Sequence, residues 1–316
     1  MTDYTDRLRA AARRLLGEGR VDCFIGYRRG SLPLAAQPAI LTRAEQADSL
    51  IWDPSCGMNL AHYAVGRADR IGIVATGCVS RSLVALALEN QVARERLYIV
   101  GVPCTGMLDA GALRRRFPGR EAAAAAYEGP RVTIAFADGN EELAVAENLA
   151  RPCRTCAHPN PVVADEMLGE PVASPAVPAV PEEAAAAEAR SAAERWAYFC
   201  EAFAHCIRCY ACRNACPLCY CPTCFVDESR PQWVGKSSDP TDTRTFHFLR
   251  ALHLAGRCTD CGACERACPL DIPVRHLTSR LNAEAKAIYG FEAGLDLEER
   301  PLLDRYRPED LNDFFK

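Results

Sequence analysis

The sequence predicts two fold classes in one chain: an α/β domain with a parallel sheet, followed by a mainly helical, cysteine-rich domain. Short β-branched runs alternate with helical patterns between about residues 21 and 137, and this alternation favours a parallel sheet. Twelve of the 18 cysteines lie between Cys200 and Cys268, where strand patterns are scarce. The predicted parts are an α/β domain over 1–170, a linker over 171–187, a helical domain over 188–290 and a tail over 291–316.

Four short apolar runs in the first part are predicted to be buried strands, because each ends at glycine or a polar residue. They are Val21–Tyr27, Arg70–Ala75, Leu97–Val102 and Arg131–Phe136. Apolar residues at helical spacing predict a helix over Ser80–Gln91, with Ser80 as its cap.

The second part begins after a segment rich in proline and alanine, which is typical of a linker that leads into a helix. Three helices are predicted there: Glu188–Ala204, Thr243–Ala255 and Pro273–Tyr289. Asp242 is the predicted cap of the second helix, and Gly256 is predicted to end it.

Composition excludes several function classes. The 316 residues include 37 Lys and Arg against 41 Asp and Glu, so the basic excess of a chain built to bind nucleic acid is missing. No apolar run approaches the roughly 20 residues that span a bilayer. The first 20 residues carry three carboxylates and lack a continuous apolar stretch, so a secretory signal is not expected and a cytoplasmic location is.

Cysteine is the unusual residue, and its spacing favours metal ligation over disulfides. Disulfide-rich chains are small and secreted, whereas this chain is large and repeats the pattern Cys-x-x-Cys. Two runs share one spacing and end in proline: Cys206, Cys209, Cys212 and Cys216, then Cys258, Cys261, Cys264 and Cys268. Zinc sites also use four cysteines, but zinc ribbons pair two separate Cys-x-x-Cys knuckles.

The double run resembles that of bacterial two-cluster ferredoxins, in which the fourth cysteine of each run binds the other cluster. The resemblance implies one 4Fe–4S cluster on Cys206, Cys209, Cys212 and Cys268, and another on Cys258, Cys261, Cys264 and Cys216. Cys219, Cys221 and Cys224 follow directly; they could replace a ligand, hold a further metal with Cys200, or be idle thiols.

Five more cysteines in the first part suggest a third cluster. Cys78 and Cys104 follow predicted strands, and ligands gather at the carboxyl ends of parallel strands. The preferred set is Cys56, Cys104, Cys153 and Cys156, with Cys78 as the alternate; ordinary buried cysteine is the competing explanation. A weak FAD signal comes from Gly77, Ser80 and Arg81, where a helix start could hold a flavin phosphate, although an ordinary helix cap is the simpler interpretation.

Several segments resemble the beta-subunit family of coenzyme F420 hydrogenases and dehydrogenases, in its formate-dehydrogenase-like branch. They are GYRRG, DPSCGMNLAHY, RIGIVATGCVSRSLVALALENQ, LYIVGVPCTGM and ARPCRTCAHPNPV, followed by the two cysteine runs. The resemblance implies an iron–sulfur subunit that exchanges electrons with catalytic oxidoreductase subunits and other carriers. The larger flavin-binding part of the hydrogenase beta subunit has no evident counterpart here.

The sequence therefore predicts a non-catalytic electron-transfer subunit of a cytoplasmic oxidoreductase complex. Two other classes remain open: a flavoenzyme that itself reduces or oxidises a soluble carrier, and a cluster-based sensor. The tail carries bulky side chains, including Phe314 and Phe315, in a polar context, and such a segment is predicted to dock on a partner or on this chain.

Overall fold

The computed structural model describes residues 4–175, 182–304 and 308. The strands are β1 (Cys23–Arg29), β2 (Ala36–Leu41), β3 (Ile71–Ala75), β4 (Leu97–Gly101), β5 (Ala124–Glu128), β6 (Arg131–Phe136), β7 (Gly139–Ala144) and β8 (Glu166–Met167). The α-helices are α1 (Thr5–Gly17), α2 (Gly77–Leu88), α3 (Ala110–Arg116), α4 (Arg151–Arg154), α5 (Glu182–Glu188), α6 (Ala192–Ala202), α7 (Ala211–Asn214), α8 (Pro240–His253), α9 (Ala263–Arg266) and α10 (Arg275–Tyr289). Short 3-10 helices cover Ala44–Ser49, Leu60–Ala64, Arg94–Arg96, Ala146–Asn148 and Leu302–Asp304.

The main sheet is mixed and has the strand order β2-β1-β3-β4-β8. Strands β1, β3, β4 and β8 run parallel, whereas β2 returns antiparallel to β1. The predicted parallel arrangement therefore holds for four of the five strands and fails only at the β2 edge. It places the ends of β3 and β4, and the loops that follow them, at one edge of the sheet.

Arg131–Phe136 is a strand, but its predicted place in the parallel sheet is wrong. It forms β6, the centre of a separate antiparallel sheet with the order β5-β6-β7. Two tight turns, at Gly129 and Gly139, connect it to its neighbours, and both glycines have positive φ. A parallel neighbour would require a crossover of about a dozen residues or more, which these turns do not provide.

The main core lies between the sheet and the helices packed on it. Leu8 and Leu15 of α1 are fully buried, as is Phe24 of β1. The helix after β3 begins earlier than predicted, at Gly77 with Thr76 as its N-cap. Ser80 is therefore not the cap but an interior residue, and its hydroxyl donates to the Gly77 carbonyl at 2.9 Å.

The cysteine-rich part is helical, and no strand occurs between residues 182 and 304 of the structure. Helix α8 begins at Pro240, and Asp239 is its cap, accepting from the Thr241 amide at 2.8 Å. The predicted cap, Asp242, instead accepts from the Gly235 amide. Residues 182–187 of the predicted linker are helical and belong to α5, which packs against α10.

The cysteine-rich part packs directly on the α/β part. Cys216 and Leu254 belong to the main apolar core, and the Ser82 and Thr259 hydroxyls hydrogen-bond at 2.9 Å. The first residues of the predicted docking tail are also part of this contact, because Phe291 is buried. The rest of that tail, residues 305–307 and 309–316 with Phe314 and Phe315, lies outside the described residues. None of the described helices is both long and apolar enough to cross a membrane.

Candidate metal centre

The two four-cysteine runs fold into loops with the same backbone pattern. In the first loop, Arg208 and Tyr210 adopt left-handed φ values of 52° and 59°. At the corresponding places of the second loop, Asp260 and Gly262 have φ values of 56° and 69°. A short helix follows each pair, α7 in the first loop and α9 in the second. Three non-glycine residues in this strained region indicate that the surroundings fix the loop conformation.

The first cysteine group combines the first three cysteines of one run with the last cysteine of the other. The sulfurs of Cys206 and Cys268 interact electrostatically with that of Cys212. The Arg208 and Ile272 amides donate to the Cys206 and Cys268 sulfurs, each at 3.4 Å. Cys209, the remaining member, is exposed. Backbone N–H groups directed at sulfur stabilise its negative charge when it binds a metal.

The second group is the reciprocal one, and it is more deeply buried. Cys216 lies within electrostatic range of Cys258, Cys261 and Cys264. Burial is the main cause that raises the pKa of the Cys258 thiol to about 12, and Asp260 adds to it. Free thiols whose pKa is raised by burial stay protonated near neutral pH, whereas a bound metal would keep them as thiolates.

Two residues of α8, His247 and Arg250, contact these groups, and the sequence did not single them out. His247 Nε2 lies 3.3 Å from the Cys206 sulfur. Arg250 is 4% exposed, and its Nη2 donates to the Cys212 carbonyl at 3.2 Å. Burial alone would lower the pKa of Arg250, but the sulfurs of Cys216 and neighbouring cysteines raise it, and the net shift is upward. The signal in the sequence was two basic residues three apart on a helix, which share one face.

Five of the six cysteines in the N-terminal part line one cavity of about 350 Å³, namely Cys56, Cys78, Cys104, Cys153 and Cys156, whereas Cys23 is buried in β1. Cys78 follows β3 and Cys104 follows β4, as predicted for ligands at the strand ends. Burial is the largest cause that raises the pKa of Cys78 to about 12 and raises that of Cys104 further.

The second loop closes one side of this cavity. Gly262 packs against Pro152 of α4 so closely that a Cβ at Gly262 would lie 2.1 Å from Cγ of Pro152. Arg266 of α9 lines the cavity, and its Nη2 donates to the Cys261 carbonyl at 2.9 Å. Its buried Nε has no partner within residues 4–175 and 182–304. The second loop therefore adjoins the N-terminal cysteines through Arg266.

Cys219, Cys221 and Cys224 lie in different surroundings. Cys219 lies beside Cys216, whose hydrogen bond is the largest cause that lowers the Cys219 pKa. Cys221 is exposed, whereas Cys224 packs in the small apolar core of the helical part. Among the described residues, no three His, Cys, Asp or Glu side chains are close enough to hold one metal ion. The ligands of a 4Fe–4S cluster can lie further apart than those of a single metal ion, because each cysteine binds a different iron.

The predicted phosphate-binding residues have other partners within the chain. Ser80 accepts from the Val162 amide at 3.0 Å, and Arg81 Nη2 donates to the Ala293 carbonyl at 2.7 Å. A Cβ at Gly77 would lie 1.8 Å from the His158 carbonyl oxygen, so backbone already covers the start of α2. The prediction of an open phosphate site at Gly77, Ser80 and Arg81 is not supported by this arrangement.

Comparisons with known proteins agree with the cysteine pattern. Residues 202–272 match the family model of the 4Fe-4S dicluster domain. The F420-dependent formate dehydrogenase subunit beta of Methanocaldococcus jannaschii is 33% identical over 111 residues, which cover 35% of this chain and 28% of that protein. The F420-dependent formate dehydrogenase 1 subunit beta of Methanococcus maripaludis is 36% identical over 98 residues, covering 31% and 24%. The predicted resemblance is confirmed.

The chain spans less than a third of the length of these curated relatives. A solved structure, the F420-reducing [NiFe] hydrogenase complex from Methanosarcina barkeri, has a chain that is 13% identical to this one, with a TM-score of 0.36. That comparison covers 48% of this chain and 58% of the hydrogenase chain.

Proposed function

We propose that this chain is an electron-transfer subunit of an oxidoreductase complex and carries electrons through 4Fe–4S clusters. One observation carries the proposal: two loops of matched backbone gather two reciprocal sets of four cysteines. The dicluster family match over residues 202–272 supports the same assignment. When bound, such clusters supply one-electron transfer.

In this proposal, the first set is Cys206, Cys209, Cys212 and Cys268, and the second is Cys258, Cys261, Cys264 and Cys216. The donor chemistry fits, because each set supplies four sulfurs with backbone amides or a buried cation nearby. Exposure of Cys209 leaves the first set closest to solvent, where a partner protein could approach it.

A third cluster is proposed in the N-terminal cavity. Cys56, Cys104, Cys153 and Cys156 are the preferred ligands, and Cys78 is the alternate, since all five face the same space. Cys78 also lies within electrostatic range of Cys261, so this site adjoins the second set. FAD binding stays a prediction. The residues first expected to hold its phosphate, Gly77, Ser80 and Arg81, have other partners within the chain.

The proposed partners are the catalytic subunits of a formate dehydrogenase or hydrogenase complex. The names of the curated relatives, both beta subunits of formate dehydrogenases, support a formate dehydrogenase as the partner class, whereas the hydrogenase alternative rests on the sequence resemblance. A cytoplasmic location remains a prediction that rests on the cysteine content.

Anaerobic purification with iron, zinc and acid-labile sulfide analysis tests the proposal. We expect at least about eight irons and eight sulfides per chain, with electron paramagnetic resonance signals of reduced 4Fe–4S clusters. Cys209→Ser and Cys258→Ser should each remove iron, whereas Cys200→Ser, in the half-buried thiol of α6, should not. Zinc without labile sulfide would overturn the proposal.

A further inference from the structure

Arg250 lies between cysteines of both proposed clusters. It is buried in the third turn of α8, and it donates from Nη2 to the carbonyl of Cys212, a residue of the first set. Cys216 and Cys264, both of the second set, are its strongest electrostatic neighbours. One guanidinium therefore faces both loops.

Among the residues that the structure describes, the charge of Arg250 has no carboxylate partner. None of the ion pairs among the described residues includes Arg250, and its buried Nε has no hydrogen-bond partner there. A buried cation without an opposite charge is costly. The groups that surround it are cysteine sulfurs, which become negative when they bind iron as thiolates.

We propose that Arg250 is a fixed positive charge shared by both clusters and that it raises the reduction potential of each. This inference rests on the proposed function, since it requires two clusters at the assigned cysteines. Reduction adds one electron to an already negative cluster, and a nearby cation stabilises the reduced state more than the oxidised state. The effect is large in a buried site because solvent does not screen it.

A shared cation also explains why the residue is arginine. Its charge is permanent, because the guanidinium does not lose its proton in proteins. Its several donors allow one nitrogen to hold the Cys212 carbonyl while the charge of the group stays within electrostatic range of Cys216 and Cys264. A lysine at this place would keep the charge but offer a single point of contact.

The test is a potentiometric titration of the anaerobically purified full chain, followed by electron paramagnetic resonance. Three variants are compared with the unaltered chain: Arg250→Gln, Arg250→Lys and Arg244→Gln. Arg244 is the matched control, because it lies on the same helix but stacks over Trp196 at 5.8 Å. Iron and sulfide content is measured for every variant.

We expect Arg250→Gln to lower the reduction equilibrium constant of both clusters at least tenfold, which is about 59 mV for a one-electron couple. Arg250→Lys should restore most of that change, and Arg244→Gln should leave both potentials unaltered. Unchanged potentials in Arg250→Gln, or a shift in one cluster alone, would overturn the shared role.

If Arg250→Gln does not assemble its clusters, the Arg250→Lys variant tests whether the charge at this position is what matters. Assembly of both clusters in Arg250→Lys, with potentials close to those of the unaltered chain, supports a role for charge. Failure of Arg250→Lys to assemble them would show that shape, not charge, matters. Failure of the proposed function is distinguishable, because then the unaltered chain itself lacks iron and sulfide.

Discussion

His247 Nε2 lies 3.3 Å from Sγ of Cys206, so α8 contacts the first cysteine set with an imidazole as well as with Arg250. Burial, with Arg250 and Arg208 nearby, lowers the pKa of His247 to about 3. The ring is therefore neutral near pH 7, and the tautomer with hydrogen on Nε2 can donate to a thiolate.

Replacing His247 with phenylalanine should lower the potential of the first cluster only. A hydrogen bond to a ligand sulfur raises the cluster potential, and Phe keeps a ring beside Phe203, whose centroid lies 4.2 Å away. With a hydrogen bond to a charged group worth about 1.5–3 kcal/mol, we expect a shift of up to about 60–130 mV, at roughly 60 mV per 1.4 kcal/mol. His253→Phe, an exposed position of α8, is the control. Equal shifts in both clusters would contradict a contact specific to Cys206.

Metal content should distinguish two clusters from three. With the third site filled, the chain should hold about 12 irons, and with the dicluster region alone about 8. Cys153→Ser should reduce the larger value by about four, because Cys153 lines the N-terminal cavity, whereas Cys200→Ser should leave it unchanged. An iron content near eight per chain that Cys153→Ser does not alter would rule out the third cluster.

The contact between Gly262 and Pro152 should be sensitive to a single methyl group. Gly262→Ala places a Cβ 2.1 Å from Cγ of Pro152, so α4 must move, and we expect a loss of unfolding free energy of about 2–4 kcal/mol. Gly290→Ala is the matched control: its φ is +62°, and nothing lies within 4 Å of the added Cβ. That variant should lose only roughly 1–2 kcal/mol. If both variants lose the same unfolding free energy in denaturant titrations, the positive φ explains the loss and the contact with Pro152 does not contribute.

Glu292 should contribute stability that disappears in acid. Its hydrogen bond with His158, together with Arg81, lowers the pKa of its carboxyl to about 2. A lowered folded-state pKa gives stability that is fully present above about pH 4.5 and is lost as the pH falls towards 2. We expect Glu292→Gln to lower the unfolding free energy at pH 7 by about 1–3 kcal/mol. Glu298→Gln, exposed on the same segment, is the control; a difference between the two variants that is undiminished at pH 2 would contradict the assignment.

Iron removal should loosen the cysteine-rich part more than the sheet. Its own core is small, and Cys212, Cys224 and Cys264 pack in or against it. Cluster binding therefore supplies part of its folding free energy. After anaerobic chelation, amide hydrogen exchange should rise across 200–290 and stay slow in β3 and β4. If circular dichroism shows no loss of helix after iron removal, the apolar core alone is sufficient to keep the cysteine-rich part folded.

The sequence predicted those features that local chemistry determines. Cysteine spacing fixes the two loops, and apolar runs fix β1, β3 and β4. Arg131–Phe136 was misplaced because its apolar content was counted, although every second residue, Val132, Ile134 and Phe136, is buried. That alternation, with Gly129 and Gly139 on either side, indicates an antiparallel strand exposed on one face.

The parts that could not be predicted depend on contacts between distant segments. The packing of α8 on the cysteine loops turns His247 and Arg250 towards the cysteines. The sequence of the helix alone does not determine that packing. Likewise, nothing local showed that Ala293 would occupy the donors of Arg81, more than 200 residues away.

The two loops share a backbone, and a difference at one of their matched positions, Tyr210 against Gly262, bears on the order of the proposed clusters. Tyr210 of the first loop packs on Phe246, at 5.1 Å between ring centroids, so that side is closed by the loop's own domain. Gly262 of the second loop has no side chain, and Pro152 of the N-terminal part fits against it. The N-terminal cysteines therefore adjoin the second loop, whose Asp260, Cys261 and Arg266 line the same cavity. Once filled, the proposed sites would follow one another in the order N-terminal cavity, second set, first set, and the last of these includes the exposed Cys209.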